Sequence, residues 1–182
     1  KFNVNGTKLL GSTYLGDSAN DGVNGSPLVY NFADDFRGDV LVDIKGNILV
    51  ASCTESKHFP TKMASQSTKN AGFDGVVFSL DSTLENLLWS TFMGGKGNDA
   101  LYSIKVDDND DIIVGGGTTS DNLPTTTNAL HPKYLGGSAD GFIAVYNAAN
   151  NNALKHLTYY GSAGYDQVYF IEVDRENNIY AA

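Results

Sequence analysis

Aspartates at regular spacing are the first residues in this chain that could do chemistry. The stretch "VDDNDDI", residues 106 to 112, sets Asp107, Asn109 and Asp111 two apart. That is how the oxygen ligands of a calcium loop begin. Two related stretches argue for a different role. "DIKGN" from Asp43 and "DRENN" from Asp174 put Lys45 and Glu176 at the middle position, and no bidentate Glu follows at position 12. Asp43, Asp107 and Asp174 therefore read as structural turn residues that accept local backbone N–H groups, and no metal is expected at them.

Asp21, Asp99 and Asp166 each follow a glycine by five residues (Gly16, Gly94 and Gly161). They read as caps that tie neighbouring units together through backbone amides. His58, His131 and Tyr134 fall in long connections and are the candidate ligand-binding group, a polar-aromatic pocket. His58 aligns with Asn122 rather than with another histidine, so plain surface positions are the competing reading. His156 takes the place that Trp89 holds in another repeat, as a packed or edge residue. No G-x-S-x-G, H-E-x-x-H or phosphate-loop pattern occurs, and "GGGTTS" (115 to 120) opens no helix. No catalytic residue and no cofactor are assigned.

These residues must be positioned by a chain of 182 residues, enough for one domain with a sizeable core. Twelve Lys+Arg against twenty-one Asp+Glu give a formal charge of −9, which argues against nucleic acid and anionic membrane surfaces. There is no apolar run long enough to span a membrane, and the opening residues "KFNVNGTKLL" do not read as a signal peptide's apolar run, which is compatible with a processed secreted protein. The single cysteine, Cys53, excludes an internal disulfide and reads as a buried small hydrophobe. Gly, Thr, Ser and Asn with Val, Ile and Tyr, and no sustained helical period, make this an all-β composition.

The turns recur because the chain repeats. "VDIKGNILVAS" from Val42 matches "VDDNDDIIVGG" from Val106 and "VDRENNIYAA" from Val173. "STYLG" (12–16), "STFMG" (90–94) and "LTYYG" (157–161) keep step, as do "FPT" at Phe59 with "LPT" at Leu123 and "FDGVVFSL" at Phe73 with "ADGFIAVY" at Ala139. One period holds four strand candidates: 102–106, from Asp111, from Gly141 and from Leu154. The second and third are nearly continuous apolar runs, the signature of strands covered on both faces. Four short antiparallel strands per unit, stacked on their neighbours, form β-propeller blades. Expected units are 1–16 (the last strand of a preceding blade), 40–94, 102–161 and 168–182 (the first half of a further blade), with an insertion at 22–38. Two complete blades and parts of two others make an incomplete ring, so the chain is expected to be a fragment or part of a larger assembly. Short turns lie on one rim. The long connections 52–74 and 117–140 and the insertion lie on the other, where binding usually sits.

The middle repeat, "STFMGGKGNDALYSIKVDDNDDIIVGGGTTSDNLPTTTNALHPKYLGGSADGFIAVYN", resembles the SBBP (seven-bladed β-propeller) repeat of bacterial surface proteins. That family's pattern runs Y-S-T-Y-L-G-G, an Asp, I-A-V-D, G-N-x-Y-V-T-G, D-F-P-T-T and G-x-D-A-F-V. The resemblance covers most of the chain; repeat one departs through its insertion. It implies an extracellular or cell-surface bacterial protein of the kind that accompanies adhesion, gliding or type IX secretion, with no catalytic residues to carry over. The expected function is non-enzymatic binding of protein or glycan through the long-loop rim. A polysaccharide-acting hydrolase or lyase module, or a purely structural spacer, is the alternative. The expected partners are the rest of the propeller and a surface protein or glycan, with no nucleic acid and no membrane insertion.

Overall fold

The computed structural model describes residues 1–182 and is all-β. Sheet 1 joins β1 (Asp39–Val42), β2 (Ile48–Thr54), β3 (Asp74–Leu80) and β4 (Leu87–Met93) in sequence order. Sheet 2 repeats it with β5 (Asp99–Val106), β6 (Ile112–Thr118), β7 (Asp140–Asn147) and β8 (Ala153–Tyr160). β9 (Ile171–Val173) and β10 (Ile179–Ala181) form a two-stranded third sheet. Every neighbouring pair is antiparallel. β5 begins at Asp99, three residues before the alternating pattern that marks it in the sequence, because Asp99 to Leu101 pair with Thr118 to Gly116 ahead of a bulge between Leu101 and Ser103.

Sheet 2 stacks on sheet 1. Leu49, Ala51, Val77, Trp89 and Met93 meet Ile104, Ile112, Val114, Phe142, Tyr146 and Tyr159 in one buried cluster. Trp89 and Tyr146 pack edge to face across the seam, centroids 5.1 Å apart. Side chains of this size contribute roughly 1.5–3 kcal/mol each when fully buried. The next seam reuses the scheme: Ile113, at the position of Leu49, packs on Val168 and Ile171, and Ile171 stands where Ile104 does. Sheet 2 is thus covered on both faces, and every residue of β6 is buried.

Glycines set how closely the layers approach. A Cβ on Gly115 would lie 2.7 Å from Val168 Cγ1, and one on Gly117 would lie 2.2 Å from Gln167 Oε1. The glycine run of β6 thus serves sheet packing.

The long connections do not stand free of the sheets. Residues 60–66 run back along β4, where Lys62 and Ser90 exchange two backbone hydrogen bonds of 3.0 Å. Residues 126–131 do the same on β8, where Thr126 N donates to Leu157 O (3.2 Å) and Tyr159 N donates to His131 O (3.1 Å). Each sheet's outer edge is closed by its own loop, which protects it from pairing with another chain. Residues 9–15, expected as a last-type strand, join no sheet; the N-terminal segment makes only an isolated bridge, Phe2 with Leu9. A strand needs a neighbour along its length, and the backbone of this segment meets only Lys1 and Phe2, at Leu9 to Gly11.

Candidate functional site

At the short turns, the first aspartates serve their own hairpins. Asp43 Oδ1 accepts Lys45 N (2.9 Å) and Asn47 N (2.8 Å), and Asp107 Oδ1 accepts Asn109 N (2.8 Å) and Asp111 N (2.9 Å). Asp174 Oδ1 accepts Glu176 N and Asn178 N, both at 2.9 Å. The hydrogen bond from the Asn178 side chain, with the backbone donors, holds the Asp174 pKa down to about 2.

At the other end, Asp99 is fully buried. Its Oδ2 accepts Gly95 N (2.8 Å) and Ser120 Oγ (2.9 Å), and Thr118 Oγ1 donates to Oδ1. Asp21 accepts Asp17 N and the Thr54 hydroxyl, and Asp166 accepts Ser162 N. In each repeat the aspartate binds the amide just after the glycine. At Gly94 a Cβ would lie 2.7 Å from both Asp74 Cγ and Asp99 Oδ2, so only glycine lets the two carboxylates close over the backbone.

Asp74 is also fully buried, and its Oδ1 has no hydrogen-bond partner. Burial pushes its pKa up to about 6, with Asp99 adding repulsion. The folded state therefore holds this proton more tightly than the unfolded chain does. Its stabilising effect is complete below the unfolded pKa near 3.8 and is lost as pH rises through about 6. Asp74→Asn is expected to be more stable than the wild type at pH 7, by up to roughly 3 kcal/mol. The difference between the two is expected to shrink towards pH 4 in urea titrations; a pH-independent difference would contradict the assignment.

The three pocket candidates lie on the two long connections, 52–74 and 117–140. His58 is exposed on its loop, and the backbone of His131 is spent on β8. Tyr134 packs edge to face on Tyr159, with centroids 5.9 Å apart, and its hydroxyl donates to Gly137 O (3.3 Å). Five of the surface clefts are lined by none of the three.

What this end does assemble is a tyrosine network under the insertion. Leu28 is fully buried among Cys53, Phe73, Ala100, Tyr102 and Ala139, which come from both large sheets. Asn24 Nδ2 donates to Tyr102 Oη (2.9 Å), and Tyr102 donates to Gln167 Oε1. Gln167 Nε2 reaches Tyr165 Oη (2.6 Å) and Tyr169 Oη (2.9 Å), and Tyr169 donates to Asp34 Oδ2 (3.1 Å). Arg37 pairs with Asp34 (3.4 Å) and lies over the Tyr169 ring, 4.3 Å from its centroid. Burial opposes the Asp34 carboxylate. The N–H groups of Asn31 and Tyr30, the Tyr169 hydroxyl and Arg37 together hold its pKa below the usual range.

On the outside of this network Tyr30 stacks on Tyr165, centroids 4.7 Å apart, and remains 73 % exposed. Phe170, 63 % exposed, lies beside Arg37 with its centroid 5.8 Å away. The result is an aromatic surface held rigid from below. Burial raises the pKa of Tyr102, Tyr165 and Tyr169 and pushes that of Cys53 up to about 12. Sequence reading missed Arg37, Tyr102, Tyr165, Gln167 and Tyr169. The available signal was Tyr102 and Tyr169 at matching repeat positions. No family model matches this chain, and no curated protein is detectably similar to it in sequence.

Proposed function

We propose that the chain is a segment of a β-propeller, its sheets the blades, from a bacterial surface or secreted protein of the SBBP-like kind. In this reading it binds a surface protein or glycan without catalysis. The observation that carries the reading is the partial recurrence of the seam: Leu49 and Ile113, and Ile104 and Ile171, stand at equivalent repeat positions and are buried at successive seams. The same scheme accounts for the outer face of sheet 1. Val40 and Val42, equivalent to the packed Ile104 and Val106, are 63 % and 62 % exposed, and with Ile48 and Leu84 they line an apolar groove. In this reading the groove receives a further blade, since large apolar patches on soluble surfaces mark interaction sites.

Ligand binding is assigned to the aromatic face of Tyr30 and Phe170 at the long-loop end. Exposed, pre-positioned aromatic rings supply large contact area at little entropic cost. The test compares wild type with a Tyr30→Ala/Phe170→Ala variant for binding to a glycan array and to whole bacterial cells. Roughly tenfold or greater weakening is expected, with melting temperature unchanged. Equal binding by both proteins would contradict the assignment.

A further inference from the structure

The groove on the outer face of sheet 1 has a counterpart inside the molecule. Val42, Gly46, Ile48 and Ser82 are among the residues that line it, at the short-hairpin end of the sheet. One repeat later, Val106, Asp110, Ile112 and Ala148 stand at the same positions, and they line the cleft at the hairpin end of the first seam. There Leu49 and Trp89 of sheet 1 form the facing wall. The outer groove is the same half-site without a facing wall.

Repeat position identifies the side chain that belongs in such a wall. Leu49 and Ile113 share one position of the second strand, and each is buried against the sheet that follows. In the third sheet that position is Tyr180. Tyr180 lies opposite Glu172, whereas Ile171, Val173 and Ala181, on the alternate face, pack on sheet 2. Its ring therefore points away from sheet 2 and is 58 % exposed. Its hydroxyl donates to Asp174 Oδ2 (2.9 Å), which holds the ring at the hairpin end, where the groove also lies. The molecule thus carries both halves of an unmade seam, an apolar groove at one end of the stack and a tethered phenol ring at the other. They face away from each other on opposite sides of sheet 2, so they can meet only between molecules. Where the first seam pairs Lys45 with Asp110, the open ends offer Glu176 and Gly46, and no like charges oppose each other.

We propose that the chain associates head to tail with a second copy of itself, Tyr180 of one molecule entering the Val42–Ile48 groove of the next; this rests on reading the sheets as blades. Such an interface joins two different patches, so it continues from copy to copy unless a ring closes. Sedimentation velocity tests it on the wild type, Val42→Lys and Tyr180→Lys. The wild type is expected to grow beyond a monomer as concentration rises, and each variant to associate at least about tenfold more weakly. Both side chains are mostly exposed, so melting curves close to wild type are expected. Mixing the two variants is expected to restore a dimer and nothing larger, because each supplies the patch that the other lacks. The proposal is overturned by a wild type that stays monomeric up to about 1 mM, by unaltered association of Tyr180→Lys, or by a mixture of the variants that forms no dimer. Monomers that keep the contact between the Trp89 and Tyr146 rings overturn the docking alone, whereas loss of that contact overturns the blade reading with it.

Discussion

Gly116→Ala is expected to be among the most destabilising single substitutions in this protein, with a loss of roughly 3 kcal/mol or more. A Cβ there would stand 1.9 Å from the Ala100 carbonyl oxygen and 2.9 Å from its carbon. Those are backbone atoms of β5, the strand paired with β6, so no side-chain rotation relieves the clash. β5 in turn packs on sheet 1 and on β9. Separating β5 from β6 therefore loosens both seams, and the cost exceeds that of ordinary overpacking. Gly164→Ala is the control, since its nearest neighbour is the flexible Ser162 hydroxyl at 3.3 Å; a change within about 1 kcal/mol is expected. Urea unfolding of the two variants measures the contrast, and equal midpoints would contradict this packing.

Leu28→Ala carries the second large effect, about 3 kcal/mol or more. Leu28 is fully buried where the insertion meets both large sheets, and its loss leaves a cavity between Phe73 and Tyr102. The polar network beside it raises the cost, because Asn24 Nδ2 donates to the Leu28 carbonyl (3.1 Å). Tyr30, two residues on, is expected to tolerate alanine, since most of its ring faces solvent. Deleting Gly22 to Gly38 would remove Leu28, Asn24, Asp34 and Arg37 together. Such a deletion is expected to lower stability as well as binding, so the point variants are the sharper tools. Thermal melts that rank Tyr30→Ala as more damaging than Leu28→Ala would refute the role of the insertion as a brace.

Much of the architecture was legible in the sequence for a simple reason. A strand covered on both faces has to be apolar throughout, and "DIIVGGG" and "GFIAVY" are. Aspartate at the first position of a five-residue turn has one economical use, and Asp43, Asp107 and Asp174 all show it. The tyrosine network was not legible, because it joins Asn24 to Tyr102 and Tyr169 to Asp34 across 78 and 135 residues. Spacing along a chain says nothing about such distant partners. Loop length did not show where the loops run. Long connections suggest a free binding rim, yet much of 60–66 and 126–131 is spent closing the edges of β4 and β8. Nor does sequence reveal a cleft between sheets, since its walls come from hairpins a whole repeat apart.

Stacking of repeated sheets in equivalent register is the claim on which the rest depends. Aromatic and methyl NOE spectroscopy on the intact chain tests it most directly. Stacked sheets predict cross-peaks between the Trp89 and Tyr146 rings at the first seam and between Ile113 and Ile171 at the second. Cross-peaks confined within each sheet, with none linking these pairs, would contradict it.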